Sequence, residues 1–212
     1  MISMFGDDSF LMTKGVILFR EISGESNLWV KLFLHEIGIV NVTARKPTGD
    51  TEPLIWGRFS LKKKQKGKNY FIDDTEIVDD MFNIRKKKDT IATAFNWTKL
   101  LIKYLAPEQP DDELIVIFYW NMKLLCENIV PPEASNWRFL WQWLKIWGIA
   151  PDLKDLLTRM NFNHDEILLL NQIASLNINK VIDLFSKPLN YNIRENAFKI
   201  ASKIAVKFLD EK

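Results

Sequence analysis

The sequence predicts an α+β protein in which a small β-barrel is followed by a helical region. Between residues 14 and 72, short apolar runs alternate with Gly-, Pro- and Asp-rich turns, as strands and hairpins require. Beyond residue 88, apolar residues recur at helical spacing. The charge balance changes over the same stretch. For a chain of 212 residues, one or two domains are expected, and we place them at residues 1–80 and 81–212.

Five strands are predicted in the first domain. The clearest has Leu28, Val30, Leu32 and Leu34 on one face, with polar or aromatic residues between them. Because closure removes exposed strand edges, a closed or half-closed barrel is the economical arrangement for five short strands. The predicted strands are Lys14–Phe19, Leu28–His35, Ile39–Thr43, Leu54–Leu61 and Tyr70–Ile72. The acidic pairs Asp73-Asp74 and Asp79-Asp80 are expected to flank a strand end.

Proline and capping signals divide the helical region. A first helix follows Asp89 and ends at Pro107, because proline cannot continue a helix. Capping-box pairs, in which an Asn is followed three residues later by a Glu, predict two later helix starts. The remaining predicted limits are Asp111 to Pro131 for the second helix, Glu133 to Trp147 for the third, and starts at Asn163-Glu166 and Asn192-Glu195, the last helix having Ile193 as its first inward residue.

The third helix is rich in tryptophan and apolar on nearly every face. Such a helix is either the centre of a bundle or a docking surface, and central burial is the favoured interpretation. Arg138 beside an apolar groove would suit a peptide that ends in hydrophobic residues and a carboxylate. The candidate partner-peptide residues are Trp137, Arg138 and Trp141.

The predicted barrel is basic although the whole chain has a net charge of only +2. Residues 9–72 contain eleven Lys or Arg against five Asp or Glu, and aromatic residues are interleaved among them. Clustered cations suit phosphate backbones, and exposed aromatics can stack bases. The alternative is a solvated lysine-rich turn that discourages edge aggregation, with most of the aromatics in the core. The candidate DNA-binding residues are Lys14, Arg20, Arg45, Lys46, Arg58, Lys62, Lys63, Lys64, Lys66 and Lys68. A second basic run occupies residues 85–88.

Residue patterns for catalysis are missing from the sequence. His35 and His164 have no ligand-spaced partner, and neither a phosphate-binding glycine loop nor a nucleophile elbow occurs. Cys126 is the single cysteine, which excludes an internal disulfide and a multi-thiolate zinc site and fits a reducing cytoplasm. The longest apolar run, Leu114–Trp120, is too short for a bilayer span. We therefore expect no enzyme activity, metal, cofactor or membrane association.

Four stretches of the sequence resemble the RecO family of bacterial recombination mediators. They are a first strand with its Gly-Glu-Ser turn, a second strand with its glycine turn, a strand that runs into a lysine-rich turn, and a helix that ends in Gly-Ile-Ala-Pro. In this chain they lie at Gly15–Asn27, Leu32–Gly38, Phe59–Lys68 and Trp137–Pro151. The resemblance spans residues 13–153.

The resemblance implies an N-terminal OB-fold barrel, binding of single- and double-stranded DNA, and annealing of complementary strands. It also implies a cytoplasmic, nucleoid-associated protein that loads RecA together with RecR onto DNA coated by the single-stranded DNA-binding protein. The family's helical region docks the C-terminal tail of that coating protein. No cysteine lies between Pro151 and Asn163, so the family's zinc module is absent. The family's basic stretch is reduced to Ala44–Pro47, which leaves an alternative open: an interaction adaptor of the same fold with weak DNA binding.

Overall fold

The computed structural model of the protein describes residues 10–23, 27–45, 49–63, 70–188, 193–194 and 196–212. An N-terminal five-stranded sheet precedes seven helices, which confirms the α+β class. The strands are β1 (Phe10–Ser23), β2 (Asn27–Leu34), β3 (Gly38–Arg45), β4 (Trp56–Lys63) and β5 (Tyr70–Asp79). The helices are α1 (Lys88–Tyr104), α2 (Asp112–Glu127), α3 (Pro132–Ile146), α4 (Leu153–Arg159), α5 (His164–Ser175), α6 (Ile178–Phe185) and α7 (Ala197–Asp210).

The chain divides into two compact units. Unit 1 contains the five strands and residues 95–115, whereas unit 2 contains residues 82–94 and 116–212. The division cuts through α1 and α2, so each of these helices contributes to both units.

The strands of unit 1 follow the order β1-β2-β3-β5-β4, and β4 also pairs with β1, so that the sheet closes on itself. All neighbours are antiparallel except β3 and β5, which are parallel. The interior is apolar, as burial of the alternate residues of each strand requires. It is built from Ile17, Leu28, Val30, Leu32, Leu34, Val40, Val42, Ala44, Ile55, Phe59 and Leu61. The predicted inward face of β2 is therefore confirmed.

Three strands are longer than predicted. The strand β5 continues to Asp79 rather than ending at Ile72, so the prediction of a strand end is wrong for Asp73-Asp74 and correct for Asp79-Asp80. Both aspartates are exposed within β5, where the register shifts between Ser60 and Leu61 of the facing strand. Outward-facing acids hide such a strand from a hydrophobicity pattern, because no apolar alternation remains. The other two are β1, which runs from Phe10 to Ser23 rather than from Lys14 to Phe19, and β3, which runs from Gly38 to Arg45 rather than from Ile39 to Thr43.

The turn between β2 and β3 is packed against the residues that precede α2. Gly38 has a φ of +89°, and a Cβ at this position would overlap the Gln109 carbonyl oxygen. The Glu108 N–H donates to the Ile39 carbonyl at 2.9 Å, and the Glu36 N–H donates to the Asp112 carboxylate at 2.7 Å. These contacts explain why residues 95–115 belong to the unit that holds the sheet.

Unit 2 is organised around α3, which packs against α5 and α7. Predicted central burial of α3 is confirmed, since Trp137, Trp141 and Trp143 are fully buried. The Asn163–Glu166 capping box is confirmed as well. Asn192 and Glu195 lie outside the described residues, and the last helix begins at Ala197 rather than near Ile193.

Candidate nucleic-acid interface

A row of outward-facing side chains crosses the closed sheet of unit 1. Cross-strand pairing places Trp29 of β2 beside Thr43 of β3, and Thr43 beside Phe71 of β5. Phe71 pairs in turn with Lys62 of β4, and Lys62 with Phe10 of β1. The neighbours Leu11, Leu28, Leu61 and Ile72 face the core, so the row lies on the opposite face of the sheet, where Thr43 is buried. We call Trp29, Thr43, Phe71, Lys62 and Phe10 the aromatic–cation row.

Contacts hold two of the aromatic side chains of the row in place. The Trp29 indole N–H donates to the Ser23 hydroxyl at 2.7 Å, and the residue remains 45% exposed. The Lys62 ammonium lies 5.1 Å from the centroid of the Phe10 ring, within the range of a cation–π contact. An indole fixed at its polar end with its ring at the surface is suited to stacking on a base.

A second exposed aromatic lies close to the row on the neighbouring strand. Phe19 of β1 is 47% exposed and pairs with Lys31 of β2, two residues from Trp29 on the same face. Glu21 is the β1 partner of Trp29. The face formed by β1 and β2 therefore combines two exposed rings with one cation and one acid.

The described candidate cations differ in their surroundings. Arg20 is ion-paired with Glu52 at 2.5 Å, and Arg58 with Glu76 at 3.0 Å. Lys14 is exposed on β1 opposite Arg58, and Lys63 is exposed at the end of β4. The carboxylates that neutralise Arg20 and Arg58 reduce what these two residues can contribute to phosphate binding.

The remaining candidates lie outside the described part of the chain. They are Lys46, Lys64, Lys66 and Lys68, together with the side chain of Arg45, whose backbone ends β3. The connection that holds the three lysines leaves β4 at Lys63 and reaches β5 at Tyr70. Tyr70 directly precedes Phe71, so both ends of the lysine-rich connection adjoin the aromatic–cation row.

Acidic residues border the row on one side. A cavity of about 590 Å³ is lined by the aromatic–cation row residues Lys62 and Phe71 and by seven others. Those seven are Ala44, Asp50, Thr51, Ile72, Asp73, Asp74 and Thr75. Because three carboxylates face one ammonium group here, the cavity itself does not favour a phosphate.

The three candidate partner-peptide residues lie in the interior. The Trp137 indole N–H donates to the Leu170 carbonyl at 2.9 Å, and its ring stacks on Trp141 with 5.0 Å between centroids. Arg138 is 7% exposed and donates to the Ile173 carbonyl at 3.1 Å. Their burial leaves a bound peptide no access to these side chains, and we therefore assign no peptide site to them.

Burial lowers the pKa of Arg138 to about 10, because the charged guanidinium is withdrawn from water. The Gln142 side-chain oxygen accepts a hydrogen bond from Arg138 at 2.6 Å, so neutral oxygens satisfy the cation. Arg138 therefore has a structural role, because it is buried and its guanidinium is hydrogen-bonded within the protein. A pattern of one arginine among tryptophans does not distinguish this arrangement from a docking groove.

Sequence reasoning missed Phe10, Phe19 and Lys31 as surface residues of the candidate interface. Their exposure depends on strand pairing: Phe10 lies in β1, which begins before the predicted strand, and Phe19 follows a register shift between Ile17 and itself. Trp29 and Phe71 were recognised as interleaved aromatics, but Phe33, Trp56 and Phe59 of the same set are buried. Knowledge of the register was needed to separate the two groups.

No known protein-family model matches the chain, and no curated protein matches it either. The resemblance to the RecO family thus stays a prediction from the quoted motifs. Within the described ranges, no helix has both the length and the apolar character needed to cross a membrane. In the same part of the chain, no three His, Cys, Asp or Glu side chains form a group that could hold a metal ion.

Proposed function

We propose that the protein is a non-enzymatic nucleic-acid-binding and strand-annealing protein of the RecO type. Its ligand is single-stranded DNA, which contacts the aromatic–cation row and the lysine-rich connection between β4 and β5. Stacking on Trp29 and Phe10 supplies contacts that any base can make, and lysines supply contacts to phosphate. Binding is therefore independent of sequence and weakens with salt.

The order and direction of the strands support an OB-fold as the architecture of this site. The order β1-β2-β3-β5-β4 with closure of β4 onto β1 is that of a five-stranded barrel, and the OB-fold is the barrel of this size that binds oligonucleotides. Oligonucleotides bind such barrels on the face of strands 2 and 3 and on the loops β1–β2 and β4–β5. Trp29 and Lys31 lie on that face, and Lys64, Lys66 and Lys68 lie in the β4–β5 loop.

The observation that carries the proposal is the register of the row. Pairing brings Trp29, Phe71, Lys62 and Phe10 from four different strands into one path that adjoins the lysine-rich connection. A strand of DNA laid along this path meets three aromatic rings and the Lys62 ammonium group. A merely solvated lysine turn has no need of the exposed rings.

The family resemblance adds partners to this proposal. RecR would act with the protein to load RecA onto DNA coated by the single-stranded DNA-binding protein, whose tail would bind the helical region, and double-stranded DNA would be a second ligand. We assign no residues to these partners. The adaptor alternative was motivated by the reduced basic stretch and the tryptophan-rich helix, and the candidate peptide-binding residues of that helix are buried, so we do not pursue it.

Fluorescence anisotropy of a labelled single-stranded oligonucleotide tests the proposed site. Trp29→Ala removes a stacking ring worth about 1–3 kcal/mol, so affinity for the oligonucleotide should fall about 5- to 150-fold. Trp120→Ala is the matched control, because Trp120 of α2 is 50% exposed and lies outside the row.

Unchanged affinity for the oligonucleotide in the Trp29→Ala variant would contradict the site. Absence of binding by the unmodified protein at low salt would contradict the function itself. Annealing of two complementary labelled oligonucleotides, followed by energy transfer, should decline in the same variant as the anisotropy.

A further inference from the structure

A second basic segment lies in unit 2 and has no role in the proposed sheet site. The short 3-10 helix Phe82–Lys86 leads directly into α1, which begins at Lys88. Arg85, Lys86, Lys87 and Lys88 are consecutive, and the first acid after them is Asp89. We call the four cations together with Phe82 the junction cluster.

The three lysines of the junction cluster are exposed and lack a carboxylate partner. Across the described ranges, no carboxylate forms an ion pair with Lys86, Lys87 or Lys88. Arg58 and Arg20 of unit 1 differ, because each is paired with a glutamate. Three neighbouring ammonium groups outweigh the single adjacent acid, Asp89, and so create a local positive potential that attracts phosphate.

Helix stability does not account for the whole cluster. Lys86 ends the 3-10 helix, where a cation is favourable, but Lys88 begins α1, where the helix dipole disfavours a cation, and the neighbouring like charges repel one another. Asp89 in the first turn is the residue type that this position favours. An arrangement that opposes local stability without evident compensation in the fold indicates a function.

The cluster also presents an aromatic ring. Phe82 is 58% exposed, and the Lys86 ammonium lies 5.5 Å from its centroid. Ile84 and Thr90 are buried on either side of the lysines, which fixes the backbone of the segment and keeps the intervening side chains at the surface. An exposed ring beside clustered cations is the combination that single-strand binding sites use.

We propose that the junction cluster is a second contact surface for a single-stranded nucleic acid, with Lys86, Lys87 and Lys88 on phosphates and Phe82 stacked on a base. The identity of the polymer rests on the proposed function, whereas the residues of this surface belong to unit 2 and not to the strands. A chain with two such surfaces can hold two strands at once, which annealing requires. The chain should therefore bind two short oligonucleotides.

The test uses the full chain and an oligonucleotide of about eight nucleotides, close to the site size of one binding surface. Stoichiometric titration at low salt should give two oligonucleotides per chain. The triple variant Lys86→Gln, Lys87→Gln, Lys88→Gln should bind one. Its slope of log K against log salt on a longer strand should fall by about 2, since each contact to single-stranded DNA contributes about 0.7.

A second triple variant, Lys154→Gln, Lys180→Gln, Lys203→Gln, changes the net charge equally at exposed lysines elsewhere in unit 2 and should retain both oligonucleotides. Thermal unfolding separates folding from binding: the junction variant should melt at a similar temperature, because loss of the Lys88 cation favours α1 whereas loss of the Lys86 cation disfavours the end of the 3-10 helix.

The outcomes distinguish the two proposals. If the junction variant keeps two oligonucleotides and an unchanged salt slope while Trp29→Ala loses one, the inference is overturned and the sheet site stands. If Trp29→Ala changes nothing and the junction variant loses all binding, the junction surface stands and the proposed sheet site fails. Equal losses in the two triple variants would show a general charge effect and overturn the inference.

Discussion

Trp29 of unit 1 and Trp137 of unit 2 are the same residue type in opposite surroundings. Trp29 lies on the outer face of a strand and bonds through its indole N–H to Ser23 at the end of β1. Trp137 lies on a helix most of whose residues are buried, and its N–H donates to the Leu170 carbonyl inside unit 2. A strand in a closed sheet has one face for the core and one for solvent, whereas a central helix buries most of its surface.

The charged residues of the two units differ in the same way. Arg58 and Glu76 form an exposed pair on the sheet, and such pairs contribute about 0–1 kcal/mol. In unit 2, the carboxylate of Glu166 is fully buried and receives hydrogen bonds from the Arg194 guanidinium, at 2.6 and 2.8 Å, and from the Asn163 and Arg194 backbone. Unit 1 is thus suited to present groups to a ligand, and the described charges in the interior of unit 2 maintain its fold.

The largest expected effect on stability tests the difference between Trp137 and Trp29. Trp137→Ala should lower the free energy of unfolding by about 3–5 kcal/mol, because it leaves a large cavity and removes the indole hydrogen bond to the Leu170 carbonyl. Trp29→Ala should lower it by less than about 1 kcal/mol, because the ring is half exposed. Urea unfolding followed by circular dichroism measures both changes. Equal losses in the two variants would contradict the division of roles.

A smaller effect is expected at the β2–β3 turn, where the backbone of unit 1 is closely packed. Gly38→Ala puts a Cβ against the Gln109 carbonyl in a backbone conformation with positive φ, so it should cost about 1–3 kcal/mol. Gly148→Ala shares the positive φ but meets no atom within 4 Å, and serves as the control. The difference between the melting temperatures of the two variants measures the destabilisation caused by the steric clash at Gly38. Equal decreases in melting temperature would mean that the positive φ alone causes the destabilisation.

The smallest effect concerns the buried charge, since a single carboxylate titrates. Burial raises the pKa of Glu166, but the hydrogen bonds from Arg194 and from the Asn163 and Arg194 backbone outweigh it, so its pKa lies below the ordinary value. A lowered pKa stabilises the fold above the unfolded value of about 4.3, and that stability is lost as the pH falls through the folded value.

Unfolding free energy measured between about pH 6 and 3 should therefore fall more steeply in the unmodified protein than in Glu166→Gln. Glu76→Gln removes an exposed carboxylate and should leave the decrease in unfolding free energy at acidic pH nearly unchanged. If the unfolding free energy of Glu166→Gln fell with pH as steeply as that of the unmodified protein, the titrating group would be another residue.

Several features of this fold could be predicted from local patterns. The alternation from Leu28 to Leu34 predicts β2 and its inward face, because the period of two is a property of the extended backbone. The Asn163–Glu166 capping box predicts the start of α5, because both hydrogen bonds form within four residues. Prediction fails at β5, whose acids face outward and leave no apolar alternation.

The candidate site was predictable only in part. The excess of cations between residues 9 and 72 is a fact of composition, and it directs attention to the sheet. The pairing of Arg20 with Glu52, and of Arg58 with Glu76, joins residues far apart in sequence and could not be foreseen. The same holds for the burial of Arg138, since a guanidinium and an apolar helix are compatible with a groove or with a core.

The sequence by itself determined the order of strands and helices, the apolar face of β2 and the basic character of the sheet region. These features depend on neighbours within a few residues, or on composition. Only the tertiary structure decided which aromatics face outward and which cations lie beside a carboxylate. Trp29, Phe71, Lys62 and Phe10 form one row because β1, β2, β3, β5 and β4 pair in a particular register. A shift of one residue would turn each side chain to the other face.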